Sequence, residues 1–413
     1  MHAASRLGAL CILSALSVLC FGAREAAAQA QEPAAPQAVG PKELQAAIDK
    51  LGDLDYDTRT NASRTVRRTE SAQAVPALLQ AVAEHRDGYV RYRALVLLTG
   101  FNDPRTNDAI RESLKSPNDR LRTVAYSYLE HHPSRVMLPE LLAALDTELA
   151  EFVRPALIRA LAAAGDDPRV QSALVRETTR GEDFFRSAVI EALGDYKARY
   201  AFDVLAKVAV LDGPLQDDAA LALGKIGDKR ALEILAGLQR SAPRATQPTI
   251  AASICLLGVN CESHENYLVQ TLRFADTNSG FQELLRGTAG GLGALGVAGH
   301  DDVIAPLLQV GMPARDPVRA PIALALATIA LRNTPLLLTF LEKNRSAGPT
   351  GSSDRPAFDE RGVLNLLAEG FDMLEEDLDK ERFFALVRRT YWQSAEKSTA
   401  RALMQRLIGE LAF

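Results

Sequence analysis

The sequence EFVRPALIRALAAAG at residues 151–165 contains the pattern that decides the fold. An acidic residue is followed two places later by an apolar residue and an arginine (Val153, Arg154), and a leucine (Leu161) stands eight places after the apolar residue. Related versions of this pattern recur at intervals of 30 to 36 residues, with starts at residues 58, 90, 121, 153, 185, 215, 249, 285 and 318. A regular period of this length indicates a repeat architecture.

Each copy has apolar residues at helical spacing and is usually followed by a break such as Gly194-Asp195, where glycine can adopt the left-handed conformation that ends a helix. A second apolar helix follows, and proline often opens it, as in Pro139-Glu140-Leu141, because proline fits the first helical turn. Two short helices cannot bury their apolar faces alone, so the units must stack. The sequence therefore predicts an all-α protein, an α-solenoid of about ten stacked two-helix repeats.

The repeat resembles the short HEAT repeat, in particular the form named after phycobilisome lyases. The resemblance rests on the acidic-x-apolar-Arg opening, as in Asp119, Leu121 and Arg122, followed by alanine and Leu-Gly. It implies a structural ladder in which arginines tie neighbouring repeats together. At Gln216 and Ile250 the arginine is replaced, so the ladder is expected to be interrupted there. The predicted ladder residues are Arg91, Arg122, Arg154, Arg186, Arg286 and Arg319.

Composition narrows the class of protein. The chain has 413 residues, 47% of them hydrophobic, and a formal net charge of -5, which excludes a disordered tail. The mildly acidic pI of about 5.8 argues against a nucleic-acid partner, because nucleic-acid binders usually carry a basic stripe.

The first 30 residues are predicted to be a signal peptide. Arg6 precedes an uncharged stretch, and Ala28-Gln29-Ala30 provides a small-x-small cleavage pattern. The apolar core of the segment is shorter than the ~20 residues that span a bilayer, so we expect no stable membrane insertion. A membrane anchor and lipidation of Cys20 are the less favoured alternatives. The sequence thus predicts an exported protein, periplasmic or secreted, with a flexible leader at residues 31–41.

The remaining chain divides into three predicted parts. Residues 42–342 form the HEAT-like solenoid, residues 343–359 an inserted flexible loop rich in Gly, Ser and Pro, and residues 360–413 divergent C-terminal repeats that cap the array.

Two charged clusters are interpreted as solvated helix faces. They are the acidic residues Glu375, Glu376, Asp377 and Asp379, and the basic residues Arg64, Arg67 and Arg68.

Cys255 and Cys261 are the two cysteines left after removal of the signal peptide. In one continuous helix they would be about 9 Å apart along the axis, too far for a disulfide. If Gly258 ends the helix, the two sulfurs can meet, so the sequence leaves the disulfide open. A metal site is disfavoured because the sequence shows no neighbouring ligand set.

The sequence lacks the motifs HExxH, GxSxG, CxxC and GxxxxGK, which carry common hydrolytic, redox and nucleotide chemistries. Gly291, Gly293 and Gly296 have the spacing of a dinucleotide fingerprint, but they fall at the small packing positions of a helical repeat. We therefore expect no catalytic residues, no cofactor and no metal, and a protein that is not an enzyme.

The inner positions of the repeats change character along the chain. They are mixed in the N-terminal half and small or apolar in the C-terminal half, so something must cover the C-terminal groove. The cover is either the protein itself, through the C-terminal cap, the leader or tight curvature, or a bound partner. The candidate partner-binding residues are Ala251, Ala252, Gly287, Gly291, Ala320 and Leu324, with Tyr92, Tyr126 and Tyr128 near the N-terminus.

These observations predict an exported, non-enzymatic scaffold that binds a protein or peptide along its concave face. The alternative is an accessory lyase-like enzyme or a small-ligand binder with its site in the apolar C-terminal groove. A tight cluster of ionisable residues at that groove would be the signature of the enzyme, and the sequence alone does not display one.

The cleavage prediction is directly measurable. The exported protein is expected to begin at Gln31, because the Ala28-Gln29-Ala30 pattern ends just before it. Intact mass and N-terminal sequencing of protein recovered from the envelope and culture fractions check this. A chain that keeps residues 1–30 in those fractions would contradict it.

Overall fold

The computed structural model describes residues 39–345, 358–374 and 376–411. Within these ranges the regular elements are twenty-two α-helices and three short 3-10 turns, with no strand. The predicted all-α solenoid is confirmed. The predicted signal peptide lies outside the described residues, as does the leader up to residue 38. Val39 is already buried, and the first helix begins at Pro41.

The helices, numbered in chain order, have the following bounds. They are α1 (Pro41–Asp49), α2 (Tyr56–Arg68), α3 (Ser71–Glu84), α4 (Gly88–Thr99), α5 (Thr106–Ser113), α6 (Asp119–His131), α7 (Leu138–Thr147), α8 (Arg154–Ala163), α9 (Pro168–Glu177), α10 (Asp183–Asp195), α11 (Phe202–Ala209), α12 (Gln216–Ile226), α13 (Ala231–Ser241), α14 (Gln247–Leu256), α15 (Cys261–Thr277), α16 (Gln282–Ala298), α17 (Ile304–Gly311), α18 (Arg319–Arg332), α19 (Thr334–Arg345), α20 (Glu360–Met373), α21 (Asp377–Gln393) and α22 (Thr399–Glu410). The 3-10 turns are Lys50–Gly52, Arg199–Ala201 and Asp301–Val303.

The helices pair along the chain from α1/α2 to α17/α18, and α19 packs against α18 and α22. The even-numbered helices α4 to α20 pack side by side in one continuous row, and most of their odd-numbered partners touch one another much less. This asymmetry places the even-numbered helices on the inner, concave side of a curved array. Two hydrophobic cores run along the row, one through the N-terminal repeats and one through the C-terminal repeats.

The repeat arginines share one contact that accounts for their recurrence. The last carbonyl groups of a helix have no partner within that helix. At five of the six predicted ladder positions the guanidinium donates a hydrogen bond to a carbonyl in the last turn of the preceding helix or in the three residues that follow it. The pairs are Arg91 with Val82 (2.7 Å), Arg122 with Ser116 (2.8 Å), Arg154 with Glu148 (3.0 Å), Arg186 with Thr178 (3.0 Å) and Arg319 with Gly311 (2.9 Å).

Three of these arginines also reach a carboxylate of the next repeat. Arg122 pairs with Glu148 at 2.6 Å, Arg154 approaches Glu177 at 3.8 Å, and Arg319 pairs with Glu369 at 2.5 Å. Arg286 is the exception in the predicted ladder. Its only ion-pair partner among the described residues is Glu283 on its own helix, at 3.0 Å.

The expected interruptions of the ladder are only partly observed. The Gln216 amide donates to the Leu211 carbonyl at 3.3 Å, so a neutral group makes the same kind of contact as an arginine. Ile250 is fully buried, and Gln247, one helical turn earlier, donates to the Ala242 carbonyl at 2.9 Å. The positive charge of the arginine is missing at these two repeats. A side-chain amide still donates a hydrogen bond to a carbonyl just after the preceding helix.

Helix α21 closes the array by crossing its concave side. It packs against α4 and α6 near the N-terminus as well as against α18. Tyr92 donates a hydrogen bond to Asp377. The ion pairs that hold the helix are Arg67 with Glu381 (2.6 Å), Arg93 with Asp377 (2.9 Å), Arg332 with Glu376 (2.7 Å) and Arg332 with Asp379 (3.2 Å). The His131 imidazole also contacts the Asp379 carboxylate at 2.8 Å.

The interpretation of the two charged clusters as solvated faces is wrong for most of their members. Glu376, Asp377 and Asp379 are buried or half-buried against the inner helices, because their carboxylates pair with cations across the groove. Arg67 is paired as above, and Arg64 donates to the Gly409 carbonyl at 3.2 Å. Glu375 lies outside the described residues.

The C-terminal boundaries differ slightly from the predicted ones. Residues 343–345 belong to helix α19 rather than to the predicted loop, and residues 346–357 lie outside the described part of the chain. Helix α20 stacks on α18 like another inner helix. In the described part, no single helix has the length and hydropathy needed to cross a membrane. Helices α18 and α19 meet that test only together, across a bend of 110°.

The ion pair between Arg67 and Glu381 is expected to stabilise the closed array, because Glu381 is buried and Arg67 is half-buried. Replacing Arg67 with alanine leaves a buried carboxylate without its cation, which costs about 3 kcal/mol. Denaturant unfolding of the Arg67→Ala variant should show this loss, and amide exchange should rise first in residues 377–393.

The matched control is Arg68→Ala, on the same helix. Arg68 makes no hydrogen bond or ion pair with the described residues. Equal unfolding free energies for the two variants would show that the pair does not hold α21 in place.

Candidate functional site

A cavity of about 750 Å³ lies on the concave side, between the inner helices and the segment that leads into α21. The residues that line it are Glu130, His131, Arg159, Glu191, Asp195, Tyr196, Leu221, Lys225, Arg286, Gly290, Gly293, Ala294, Val297, Pro321, Leu324, Ala325, Thr328, Leu331, Arg332, Leu374, Glu376 and Arg382.

One wall of the cavity is mainly apolar and comes from α16 and α18. Val297, Pro321 and Leu324 face the cavity, and 39% of Leu324 remains exposed, which is high for a leucine on an inner helix. The glycines of α16 let the neighbouring helices approach closely. A Cβ placed on Gly293 would lie 3.3 Å from the Ala325 side chain, so these glycines are packing residues.

The other wall is charged and comes from α6, α8, α10 and α12. Arg159 lies between Glu130 and Asp195, at 2.8 Å from each carboxylate, and Lys225 contacts Asp195 at 2.7 Å. Burial raises the pKa of Asp195, but the cations of Lys225 and Arg159 outweigh it and hold that pKa at about 2. Tyr196 donates to Glu130 at 2.8 Å. These charges are fixed by one another and form a rigid surface.

Glu191 differs from the other charged residues of this wall. It projects into the cavity from α10 and has no hydrogen bond or ion pair with the described residues. Glu191 is exposed to solvent. Partial desolvation and the nearby Asp218 carboxylate nevertheless raise the pKa of Glu191 to about 7, against the opposing charges of Lys225 and Arg159. Within the part of the chain that the structure describes, Glu191 makes no hydrogen bond or ion pair, and it lies in a cavity with an apolar wall.

The predicted partner-binding residues of the C-terminal half are mostly core residues. Ala251, Ala252 and Gly291 are buried where α14 and α16 meet, and a Cβ on Gly291 would lie 3.1 Å from the Ala252 side chain. They cannot contact a partner because neighbouring helices already cover them. Gly287 and Ala320 are half-buried and do not line the cavity. Of the six predicted residues, Leu324 alone lines it.

The N-terminal tyrosines do not form an exposed surface either. Tyr126 and Tyr128 are buried in the repeat core. Tyr92 is half-buried and hydrogen bonded to Asp377 of α21. The concave face near the N-terminus is thus covered by the protein itself, which was one of the two expectations for the groove.

Cys255 and Cys261 are joined by a disulfide. Helix α14 ends at Leu256, and Gly258 takes a left-handed conformation (φ 76°) that turns the chain into α15. This turn brings the sulfurs together, which a continuous helix could not do.

Sequence reasoning missed two features of the site. The inner positions of the N-terminal repeats include Tyr92 and Arg93, which bind α21 rather than a partner. The acidic run in the C-terminal cap was the available signal, because it complements these basic residues across the groove. Glu191 makes no ion pair with the described residues, and the nearby cations Arg159 and Lys225 are paired with Asp195 instead. The sequence does not show which of these charges pair with one another.

Comparison with known proteins identifies the repeat. A family model for HEAT repeats matches residues 41–130 and 75–162. No curated protein sequence matches the chain.

Several solved structures are similar in part, all at low identity. Human deoxyhypusine hydroxylase in complex with glycerol is 18% identical (TM-score 0.28), and the match covers 53% of this chain and 86% of that one. The complex of CpcE and CpcF of phycocyanin lyase from Nostoc sp. PCC7120 is 22% identical (TM-score 0.33), with 53% and 88% covered. Importin beta is 12% identical (TM-score 0.33), with 92% and 61% covered.

The raised pKa of Glu191 predicts a dependence of stability on pH. A folded-state pKa above the ordinary value of 4.5 means that the ionised carboxylate is less favourable in the folded protein. The Glu191 contribution to stability is therefore lost as pH rises from about 4.5 to about 7. Because Glu191 is exposed, solvent screens most of this effect. Glu191→Gln should raise Tm by about a degree at about pH 8.5 and change it little near pH 4.

Thermal unfolding of Glu191→Gln at both pH values checks this. Glu151→Gln serves as the control, because Glu151 is exposed on the loop before α8. The explanation fails if the two variants have the same pH profile.

Proposed function

We propose that the chain is an exported, non-enzymatic scaffold that binds a protein or peptide partner in its central cavity. The match of a HEAT-repeat family model to residues 41–162 supports this proposal. The observation that carries the proposal is the two-sided cavity. An apolar wall from α16 and α18 faces Glu191, which makes no hydrogen bond or ion pair with any described residue.

The side chains that line the cavity indicate what kind of partner segment can bind there. Leu324, Val297 and Pro321 offer apolar contact area, and Glu191 offers an acceptor for a lysine or arginine. A volume of about 750 Å³ holds a few side chains, not a folded domain. We therefore infer that the partner inserts a short segment in which a basic residue stands next to apolar residues.

The covered groove restricts where a partner can bind. Helix α21 occupies the concave face beside α4 and α6, so a long peptide cannot follow the whole inner surface of the closed array. The cavity beside α16 and α18 lies on the same face, next to α21, and remains open to a short segment. This restriction replaces the extended concave interface expected from the sequence.

Export is supported by the predicted signal peptide in residues 1–30, with the periplasm or the external medium as the destination. The non-enzymatic role is supported by the state of the cavity charges. Arg159, Asp195 and Lys225 are bound to one another, which suits a preformed binding wall.

One observation favours the alternative of an accessory enzyme or small-ligand binder. The structure gathers ionisable residues at the cavity, and the pKa of Glu191 is raised to about 7, in the range that suits a general acid or base. In that case Glu191 would transfer a proton to or from a bound ligand rather than pair with a cation.

Selection from a random peptide library tests the binding proposal with the secreted protein as the target. The selected peptides should combine a lysine or arginine with neighbouring apolar residues. Glu191→Gln should weaken their binding at least about tenfold, because the partner cation loses its carboxylate. Leu324→Arg should abolish binding by placing a cation in the apolar wall.

The matched control is Leu149→Arg, at a leucine that is 84% exposed on the loop before α8 and outside the cavity. A photocrosslinking residue at position 324 should label the peptide, and one at position 149 should not. Labelling at 149 alone would move the site out of the cavity. Unchanged peptide affinity but lost peptide turnover in Glu191→Gln, followed by mass spectrometry, would establish the enzymatic alternative.

A further inference from the structure

Four metal-binding side chains converge at one edge of the C-terminal repeats. The sulfurs of Cys255 and Cys261, a carboxylate oxygen of Glu265 and Nδ1 of His300 all lie within 4.8 Å of one another. This cluster is separate from the central cavity, whose lining includes none of the four.

The local fold explains why residues so far apart in sequence meet. Cys255 is in the last turn of α14, and Cys261 opens α15 after the turn at Gly258. Glu265 stands four residues after Cys261 and so lies on the same face of α15. His300 follows the end of α16, where Gly299 takes a left-handed conformation (φ 113°) that directs the chain back toward α15.

The distances between these atoms are close to those of a tetrahedral zinc site. Zinc bound to sulfur, nitrogen and oxygen holds its ligand atoms roughly 3.3 to 3.8 Å apart. The Cys261 sulfur lies 3.6 Å from the Glu265 oxygen and 3.8 Å from His300 Nδ1, and the Cys255 sulfur lies 4.0 Å from the Glu265 oxygen. Two contacts are shorter, namely the disulfide and the 2.6 Å contact between His300 and Glu265. A central ion would replace both of them.

We propose that the reduced protein binds one Zn²⁺ through Cys255, Cys261, Glu265 and His300. A dithiol reductant supplies two electrons and two protons to the disulfide and becomes a disulfide itself. Zinc then displaces the two thiol protons and is held by two thiolates, one imidazole nitrogen and one carboxylate oxygen. The same four residues therefore form either a disulfide or a metal site, according to the redox state.

The donor set and its exposure fit this ion. Thiolate and imidazole ligands in a four-coordinate arrangement favour zinc over calcium or magnesium, which prefer oxygen ligands. Cys255 is buried, whereas Cys261, Glu265 and His300 are half-buried, so an ion can enter from solvent. Either crosslink joins α14, α15 and α16 at one point.

The test uses the purified exported protein, reduced with excess dithiol and desalted without oxygen. Titration with Zn²⁺ should give one equivalent bound with sub-micromolar affinity, and the oxidised protein should bind none at this site. Titration with Co²⁺ should produce a thiolate charge-transfer band in the near ultraviolet. That band distinguishes cysteine ligation from adventitious binding to surface carboxylates.

Matched variants identify the ligands. Glu265→Gln and His300→Gln should each weaken binding at least about tenfold, and Cys255→Ser should remove the charge-transfer band or greatly reduce it. The controls Glu262→Gln and His264→Gln change neighbouring residues outside the cluster and should match the parent. Circular dichroism confirms that each variant is folded. The proposal is overturned if the reduced parent binds no zinc, or if the ligand variants and the controls bind it equally.

Discussion

The packing of helix α21 against the concave face is the constraint on which the rest of the structure depends. Its carboxylates at positions 376, 377, 379 and 381 pair with cations from both ends of the array. Arg332 from α18 contacts Glu376 and Asp379, while Arg67 from α2 contacts Glu381. Charges removed from water are costly unless each finds a partner, so only one position of the helix satisfies all of them.

Because α21 contacts both ends of the array, the stability of the array no longer depends on neighbouring repeats alone. In an open solenoid each repeat contacts only its neighbours, and stability is close to a sum of local terms. Here residues more than 300 positions apart, Arg67 and Glu381, are joined directly. The first and last repeats are therefore coupled, and the central cavity has a fixed shape, because its walls cannot move apart without breaking buried ion pairs.

The sequence predicted the repeat well because the repeat is a local structure. The period and the arginine position follow from contacts within one or two units, such as Arg91 with the Val82 carbonyl. The same local logic explains why Gln216 can replace an arginine, since an amide also donates to a carbonyl. The sequence alone did not allow this to be foreseen, because the family pattern records residue types and not the hydrogen bond that they make.

The site was harder to predict than the repeat, because whether an inner residue lines the cavity depends on which other parts of the protein cover that residue. Ala251 and Leu324 are both apolar residues at inner positions, yet the first is buried between helices and the second faces the cavity. The difference depends on the distance between successive inner helices, which the glycines of α16 shorten in the C-terminal repeats. Burial of this kind is set by the curvature of the whole array, and no single repeat encodes it.

The gradient in the inner positions has one physical cause. Near the N-terminus these positions face α21, whose acidic residues require cations such as Arg93, so charged side chains are favoured there. Toward the C-terminus they face the next helix at short range, so small residues such as Gly291 and Ala252 are favoured. The cavity lies between these two parts of the array. That position explains why it has a charged wall and an apolar wall.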